Sequence, residues 1–232
     1  MRGGPVRIGV TALLLLALAG CGGGGGERPR AEDIVAATSE ATAKQRSFRF
    51  TLDVRDVPPS ATGLSLTHAD GAVVVPDRLR AKVAGTFARI PIVSELVIVG
   101  GRDYFKDPLT GRWRTLDIAT SPVALFDPRA GVLAVVRRAR ELAIAGEESV
   151  GGVDTYHLRG KVRARDAAPL VAARASGDRL VDLDLWVGKD DDLLRRVRVS
   201  GPIGAGEPAG ASRTVELRDF GRSFGIEAPT TG

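Results

Sequence analysis

The chain has 232 residues, 44% hydrophobic, 5% aromatic and 26% charged, with a formal charge of +5. That length is enough for one domain with a sizeable core, and the apolar content argues against a disordered chain. The basic residues are spread along the chain and are not interleaved with stacking aromatics, so a pI near 9.9 does not point to a nucleic-acid partner.

The N-terminus divides into three parts. Arg2 and Arg7 form a positive n-region, Ile8 to Leu18 carries no charge, and Leu18-Ala19-Gly20-Cys21 closes the segment with small residues. That order is the pattern of an export signal. The apolar run falls well short of the ~20 residues that a membrane-spanning helix needs. The closing tetrapeptide resembles the bacterial lipobox in all four positions. The resemblance implies cleavage before Cys21 and a covalent diacylglycerol on its sulfur, a lipidation of the palmitate type. No other cofactor is expected. Cys21 is the only cysteine, so no internal disulfide can form even in an exported compartment that would permit one. Two acyl chains hold a protein on a bilayer where one binds only marginally. Gly22 to Gly26 and Glu27-Arg28-Pro29-Arg30 have nothing to bury, and so read as a flexible tether reaching roughly 15–20 Å. The expected organisation is a signal peptide over 1–20, lipidated cysteine and tether over 21–30, and one folded domain over 31–232, held at the outer face of the cell membrane. Only five of the 33 basic residues are lysine, a composition typical of high-GC actinobacteria.

The folded part opens on a helical stretch, Ala31 to Arg46. Glu32 and Asp33 at its start and Lys44 and Arg46 at its end suit the helix dipole. Ile34, Ala37 and Ala41, with Val35 and Thr38 beside them, form its apolar stripe. From Ser47 the period becomes two, placing Phe48, Phe50, Leu52 and Val54 on one face of a strand. Short β-rich runs follow at Gly63 to Pro76, Arg78 to Phe87, Val93 to Val99, Arg102 to Phe105 and Trp113 to Leu116. Turn signals at Pro76-Asp77, Ile90-Pro91, Gly100-Gly101 and Pro108 to Gly111 separate them. Leu79, Ala81 and Val83 share one face of their strand, opposite Arg80 and Lys82. Asp127-Pro128 predicts a helix N-cap with proline at the first helical position, ahead of an apolar face from Val132, Leu133, Val135 and Val136. Arg137, Arg138 and Arg140 gather toward the helix end. A hairpin over Leu142 to Val162 turns at Gly151-Gly152. A second short helix is expected over Asp166 to Ala175, with Pro169 in its first turn. A hairpin of Leu180 to Val187 with Leu193 to Ser200, and a strand at Ser212 to Phe220, complete the chain. The pattern predicts an α+β fold, one large twisted antiparallel sheet with a few helices on one face.

No catalytic set emerges. His68, near an expected turn, and His157, in a hairpin strand, have no second histidine or cysteine at ligand spacing, so a zinc site is not expected. There is no nucleophile elbow or phosphate-binding glycine loop. Lys189-Asp190-Asp191-Asp192 lacks the spaced ligands of a calcium loop and reads as a solvated hairpin tip. Asp182 and Asp184 alternate with Leu183 and Leu185, which puts them on a solvent face. Trp113 and Trp186 read as packing residues.

The combination of lipobox, first helix, and Gly63 to Gly71 leading into Val75-Pro76 resembles the LppX/LprAFG lipoproteins of mycobacteria and their relatives. Tyr104-Phe105 through Trp113 to Leu116, Phe126-Asp127-Pro128 with Gly131-Val132-Leu133, Gly151 to Thr155, Leu158 to Val162 and Leu185-Trp186-Val187 carry the same likeness. The Arg-rich strands and the stretch Gly201 to Ala211 depart from it. The resemblance implies a half-barrel of antiparallel strands with helices packed on its concave face, similar to the LolA/LolB carriers. It also implies an apolar cavity for the acyl chains of triacylglycerol, a phospholipid-based glycolipid or another long-chain lipid. Phe48, Phe50, Leu52, Val83, Ile98, Leu133 and Val136 are the candidate lining residues; for any one of them taken alone, the sequence favours ordinary core. The function so implied is non-enzymatic lipid carriage within the envelope, in some cases alongside a membrane exporter. An envelope sensor or interaction lipoprotein regulating a membrane partner is the alternative.

Overall fold

A computed structural model describes residues 29–59, 64–87, 89–116, 122–127, 129–170 and 177–231. The expected signal segment, Cys21, most of the tether, Pro128 and the end of the helix expected to reach Ala175 lie outside the described residues.

Helix α1 (Ala31–Ala43) leads into β1 (Ser47–Arg55), β2 (Leu64–Val74), β3 (Arg78–Phe87), β4 (Ile90–Val99), β5 (Arg102–Lys106) and β6 (Trp113–Leu116). Helix α2 (Val132–Arg137) precedes β7 (Arg140–Val150), β8 (Val153–Arg163), β9 (Leu180–Gly188), β10 (Leu194–Ser200) and β11 (Ser212–Arg218), with 3-10 segments at Pro122–Phe126 and Ala164–Leu170. All eleven strands join one antiparallel sheet in the order β6-β5-β4-β3-β2-β1-β11-β10-β9-β8-β7. Strands adjacent in sequence are adjacent in the sheet within each half. The halves are joined where the first strand meets the last, with Thr51 opposite Glu216 on one side and Asp70 on the other.

Alternation sorts the two faces. Phe48, Phe50, Leu79, Ala81, Val83, Leu183, Leu185 and Val215 turn toward the helices, which bury them in one cluster with Ile34, Val35, Leu133 and Val136. Arg80 and Lys82 take the opposite face, as their alternation predicts. There a smaller cluster of Val97, Tyr104 and Ile226 forms beneath the C-terminal segment, and Arg49 lies 5.5 Å over the Phe224 ring. The α+β layout is as expected: a large open antiparallel sheet covered on one face by little helix.

Several local expectations shift. The buried stripe of α1 is Ala31, Ile34, Val35, Thr38, Ser39 and Thr42, with Ala37 and Ala41 only half-buried. The helix is rotated so that the Thr42 hydroxyl accepts the buried Leu194 N–H at 2.9 Å, a bond that spacing alone could not anticipate. Asp127 caps a turn and not the helix: its Oδ1 accepts the N–H groups of Arg129 and Ala130 at 2.7 and 2.9 Å, and α2 starts only at Val132. The chain doubles back so tightly at Gly131 that a Cβ there would lie 2.0 Å from the Leu125 carbonyl oxygen. The helix expected from Asp166 is a 3-10 segment beginning at Ala164, with Pro169 near its end. Ala164, Ala167 and Leu170 are its buried residues, a spacing of three that matches three residues per turn. Ile90-Pro91 belongs to β4, with Thr86 opposite Pro91. Pairing of β4 with β5 begins only at Leu96, so the N–H that Pro91 lacks is not needed on that side. His68 lies inside β2 at a register shift, its Nδ1 2.9 Å from Asp53.

Candidate functional site

The seam between sheet and helices brings together six of the seven candidate lining residues in one buried cluster, and Leu52, half-buried, packs against it. Phe48 and Phe50 come from β1, Val83 from β3, Ile98 from β4, and Leu133 and Val136 from α2. Phe126, which periodicity did not single out, packs on both aromatic strand residues, with ring centroids 5.4 Å from Phe48 and 4.6 Å from Phe50. Leu158, Leu183, Leu185 and Val197 complete the floor. The polar residues that α1 buries here are Thr38 and Ser39, whose hydroxyls have no hydrogen-bond partner, and Thr42, whose hydroxyl accepts the Leu194 N–H. The cover of the seam is thin: α1 packs on α2, β7 and β10, while α2 packs on the 3-10 segments.

The opposite face of β7 to β10 is polar. His157 is buried between two carboxylates, with Glu148 2.9 Å from Nδ1 and Asp184 2.8 Å from Nε2, and it stacks on Trp186 at 4.5 Å between ring centroids. The Arg196 and Arg198 guanidiniums also lie over Trp186, 5.0 and 5.5 Å from the centre of its ring. Trp186 is therefore a packing residue, as its place in a strand suggests. Asp182 is exposed, as expected, but Asp184 is buried, and Arg198 reaches it at 3.1 Å. Burial pushes the Asp184 carboxyl up, and the hydrogen bonds from His157 and Arg198 outweigh it, holding the group below its ordinary range. Each of these side chains is engaged in ion pairing or stacking within the sheet, with the Arg198 Nε left buried and without a hydrogen-bond partner.

The connection from β10 to β11 contains the stretch that departs from the expected pattern. Ile203 and Ala211 are buried in it, and Arg213 of β11 pairs with Glu207 where both side chains are almost closed to solvent. Glu207 also accepts the Ile203 N–H at 2.9 Å. Burial raises this carboxyl, but Arg213 and the N–H groups of Ile203 and Gly204 together pull it below its ordinary value.

Two clefts open at the surface. One, between β8, β9 and β10, is lined by Arg159, Asp182, Asp184 and Arg198. The other gathers five arginines around α2 and the 3-10 segment at Ala164–Leu170. Neither is lined by any of the seven apolar candidates. Lys189 to Asp192 forms the tip of the β9–β10 hairpin, with Asp191 paired to Arg195. Among the described residues no group of three or more His, Cys, Asp or Glu side chains is placed to hold a metal ion, and no helix is long and apolar enough to cross a membrane.

A broad antiparallel sheet with a thin helical cover over an apolar seam is the architecture of a lipoprotein fold represented by solved structures. LprF from Mycobacterium bovis superposes with a TM-score of 0.71 at 19% identity, over 87% of this chain and 97% of that one. LppX from Mycobacterium tuberculosis gives 0.61 at 20% identity, over 84% and 99%. A family model for the LppX_LprAFG lipoproteins matches residues 30–224, and the chain belongs to that family. The chain is also 23% identical over 209 residues to the lipoarabinomannan carrier protein LprG of Mycolicibacterium smegmatis, covering 87% of this chain and 84% of the relative.

Proposed function

We propose that this lipoprotein binds a long-chain lipid or glycolipid in the seam between sheet and helices and carries it within the cell envelope. The observation that carries the reading is the seam itself: an extended apolar floor on one sheet face under two short helices and two 3-10 segments. Membership of the LppX_LprAFG family and the carrier name borne by the LprG relative support it. Binding there needs no polar chemistry. Burying about ten methylenes of one acyl chain gains roughly 8 kcal/mol, a driving force that works against separation of the helical cover from the sheet. The reaction is transfer, not catalysis. Phe48, Phe50, Leu52, Val83, Ile98, Leu133 and Val136 would line the opened seam.

Diacylglycerol on Cys21 would hold the domain at the outer face of the membrane. A tether of roughly 15–20 Å lets the domain load lipid locally but not cross an envelope, so hand-over to a membrane partner such as an exporter completes the cycle. Mass spectrometry of the chain purified in mild nonionic detergent tests the reading, with Val83→Trp as the comparison. Lipid should accompany the parent chain and be depleted in the variant, whose indole fills the seam. A parent chain that is reproducibly empty would overturn carriage. A stable complex with a membrane partner that survives Val83→Trp would instead indicate a sensor, and turnover of envelope esters a hydrolase.

A further inference from the structure

The C-terminal end of α2, the start of β7, the end of β8 and the following 3-10 segment converge on an open cleft of about 570 Å³. Arg137, Arg138, Arg140, Arg163 and Arg165 line it, with Asp166 as the one carboxylate among the lining side chains. Asp166 lies 3.7 Å from Arg138, and Asp178 reaches in from outside the lining to Arg165 at 2.6 Å and Arg163 at 4.0 Å. The Arg137 guanidinium donates to the Arg129 carbonyl, and among the described residues Arg140 has no carboxylate within ion-pair distance. Among the described residues, Arg138, Arg140, Arg163 and Arg165 thus have two carboxylates between them. Like charges held this close repel one another, and an anion entering the cleft relieves that repulsion. Arginine forks are the side chains best matched to phosphate oxygens, through paired, charge-assisted hydrogen bonds.

The position of the cleft narrows the anion. Val136 of the apolar seam immediately precedes Arg137, so the cleft opens beside the seam. The strand register places it on one rim of the sheet. Arg140 is opposite Lys161, Lys161 opposite Asp182, Asp182 opposite Ser200, Ser200 opposite Ser212 and Ser212 opposite Arg55. Past the β1–β2 connection the same rim runs through Leu64 opposite Phe87 and Phe87 opposite Ile90. There Phe87 is 56% and Ile90 66% exposed, apolar side chains that water does not favour.

We propose that the five-arginine cleft is a binding site for a phosphate-bearing group, the chemistry of an anionic phospholipid or phosphorylated glycolipid headgroup. The acyl part of such a ligand rests on the carrier reading; the phosphate contact stands without it. The test is calorimetry on the full chain in a nonionic detergent, with dioctanoyl phosphatidylglycerol, dioctanoyl phosphatidylcholine and glycerol 3-phosphate as probes. Phosphatidylglycerol should bind at least about tenfold more tightly than phosphatidylcholine, the scale of one or two charge-assisted hydrogen bonds. The triple variant Arg138→Gln, Arg140→Gln, Arg165→Gln should lose that preference. Arg46→Gln, Arg102→Gln, Arg222→Gln, which removes the same charge from the opposite rim, should keep it. Because Arg140 has no ion pair to lose among the described residues, Arg140→Gln alone should weaken the preference about threefold without moving the melting temperature, which covers a triple variant that folds poorly. Glycerol 3-phosphate binding as tightly as phosphatidylglycerol would assign the site to a soluble phosphate, and much weaker binding would assign it to a lipid headgroup. No preference in the parent chain, or equal loss in both triple variants, would overturn the site. A chain that carries no lipid yet binds glycerol 3-phosphate through these arginines would defeat the carrier reading and leave the cleft standing. A lipid-loaded chain indifferent to headgroup charge would do the reverse.

Discussion

Phe126 and Phe50 pack with ring centroids 4.6 Å apart and planes inclined at 50°, joining the segment ahead of α2 to the first strand of the sheet. The same Phe126 ring meets Phe48 edge-on, so one side chain fastens part of the helical cover to two core positions of β1. Phe126→Ala should destabilise the domain by about 3–5 kcal/mol, read as a lower urea midpoint. Phe126→Leu, which keeps most of the volume, should cost less than half as much. Equal midpoints for parent and alanine variant would show that the ring is not a fastening.

The Glu207–Arg213 pair makes a larger demand on its partners. Arg213 is 3% exposed, and Glu207→Gln would leave its charge buried without a counter-ion. That should cost about 3–5 kcal/mol. The sign of the pH dependence follows from the lowered carboxyl. The pair contributes fully above the ordinary value of 4.5, and that contribution is lost as pH falls through the lower folded-state value. Urea midpoints of parent and Glu207→Gln should therefore differ by a steady amount above pH 4.5 and converge as the pH falls below it. A constant difference across that window would show that the pair does not carry it.

Two threonines on the buried stripe of α1 should respond in opposite directions to the same change. The Thr38 hydroxyl is buried without a partner, so Thr38→Val removes an unsatisfied group at almost constant volume and should stabilise by about 1 kcal/mol. The Thr42 hydroxyl accepts the Leu194 N–H, so Thr42→Val leaves a buried donor unpaired and should destabilise by about 1–3 kcal/mol. Thermal melts of the two variants check the contrast, which a general effect of valine on the helix could not produce.

Lipidation of Cys21 is tested in cells. Cys21→Ala should move the chain from the membrane fraction to the soluble one and abolish labelling by a radioactive fatty acid, since stable anchoring needs two acyl chains. Membrane retention with no label would locate the anchor elsewhere.

Much of the sheet could be read from alternation alone. Ser47 to Val54, Arg78 to Phe87 and Leu180 to Val187 show their inner and outer faces in the order of their residues, because side chains in a strand alternate strictly. Helix boundaries were less legible. Asp127 carries the signature of an N-cap and does accept two N–H groups, but the turn it closes ends at Gly131, where the approach of the Leu125 carbonyl decides the path. The arginine cleft had a visible signal in Arg137-Arg138 and Arg140, which gather toward the end of the predicted helix. Arg163 and Arg165 lie more than twenty residues away, and nothing local says that they meet the first group.

The sequence by itself determined the single cysteine, the α+β class and the apolar faces of the strands, and it carries the pattern on which export and lipidation are proposed, since each depends on residue type and short-range period. Tertiary structure decided what those faces meet. Joining β1 to β11 closes the two meanders into one sheet, while packing between elements sets Phe126 over Phe48 and Phe50 and draws five arginines from two distant segments to one rim. Those contacts arise from packing between elements far apart in the chain, where local propensity has no reach.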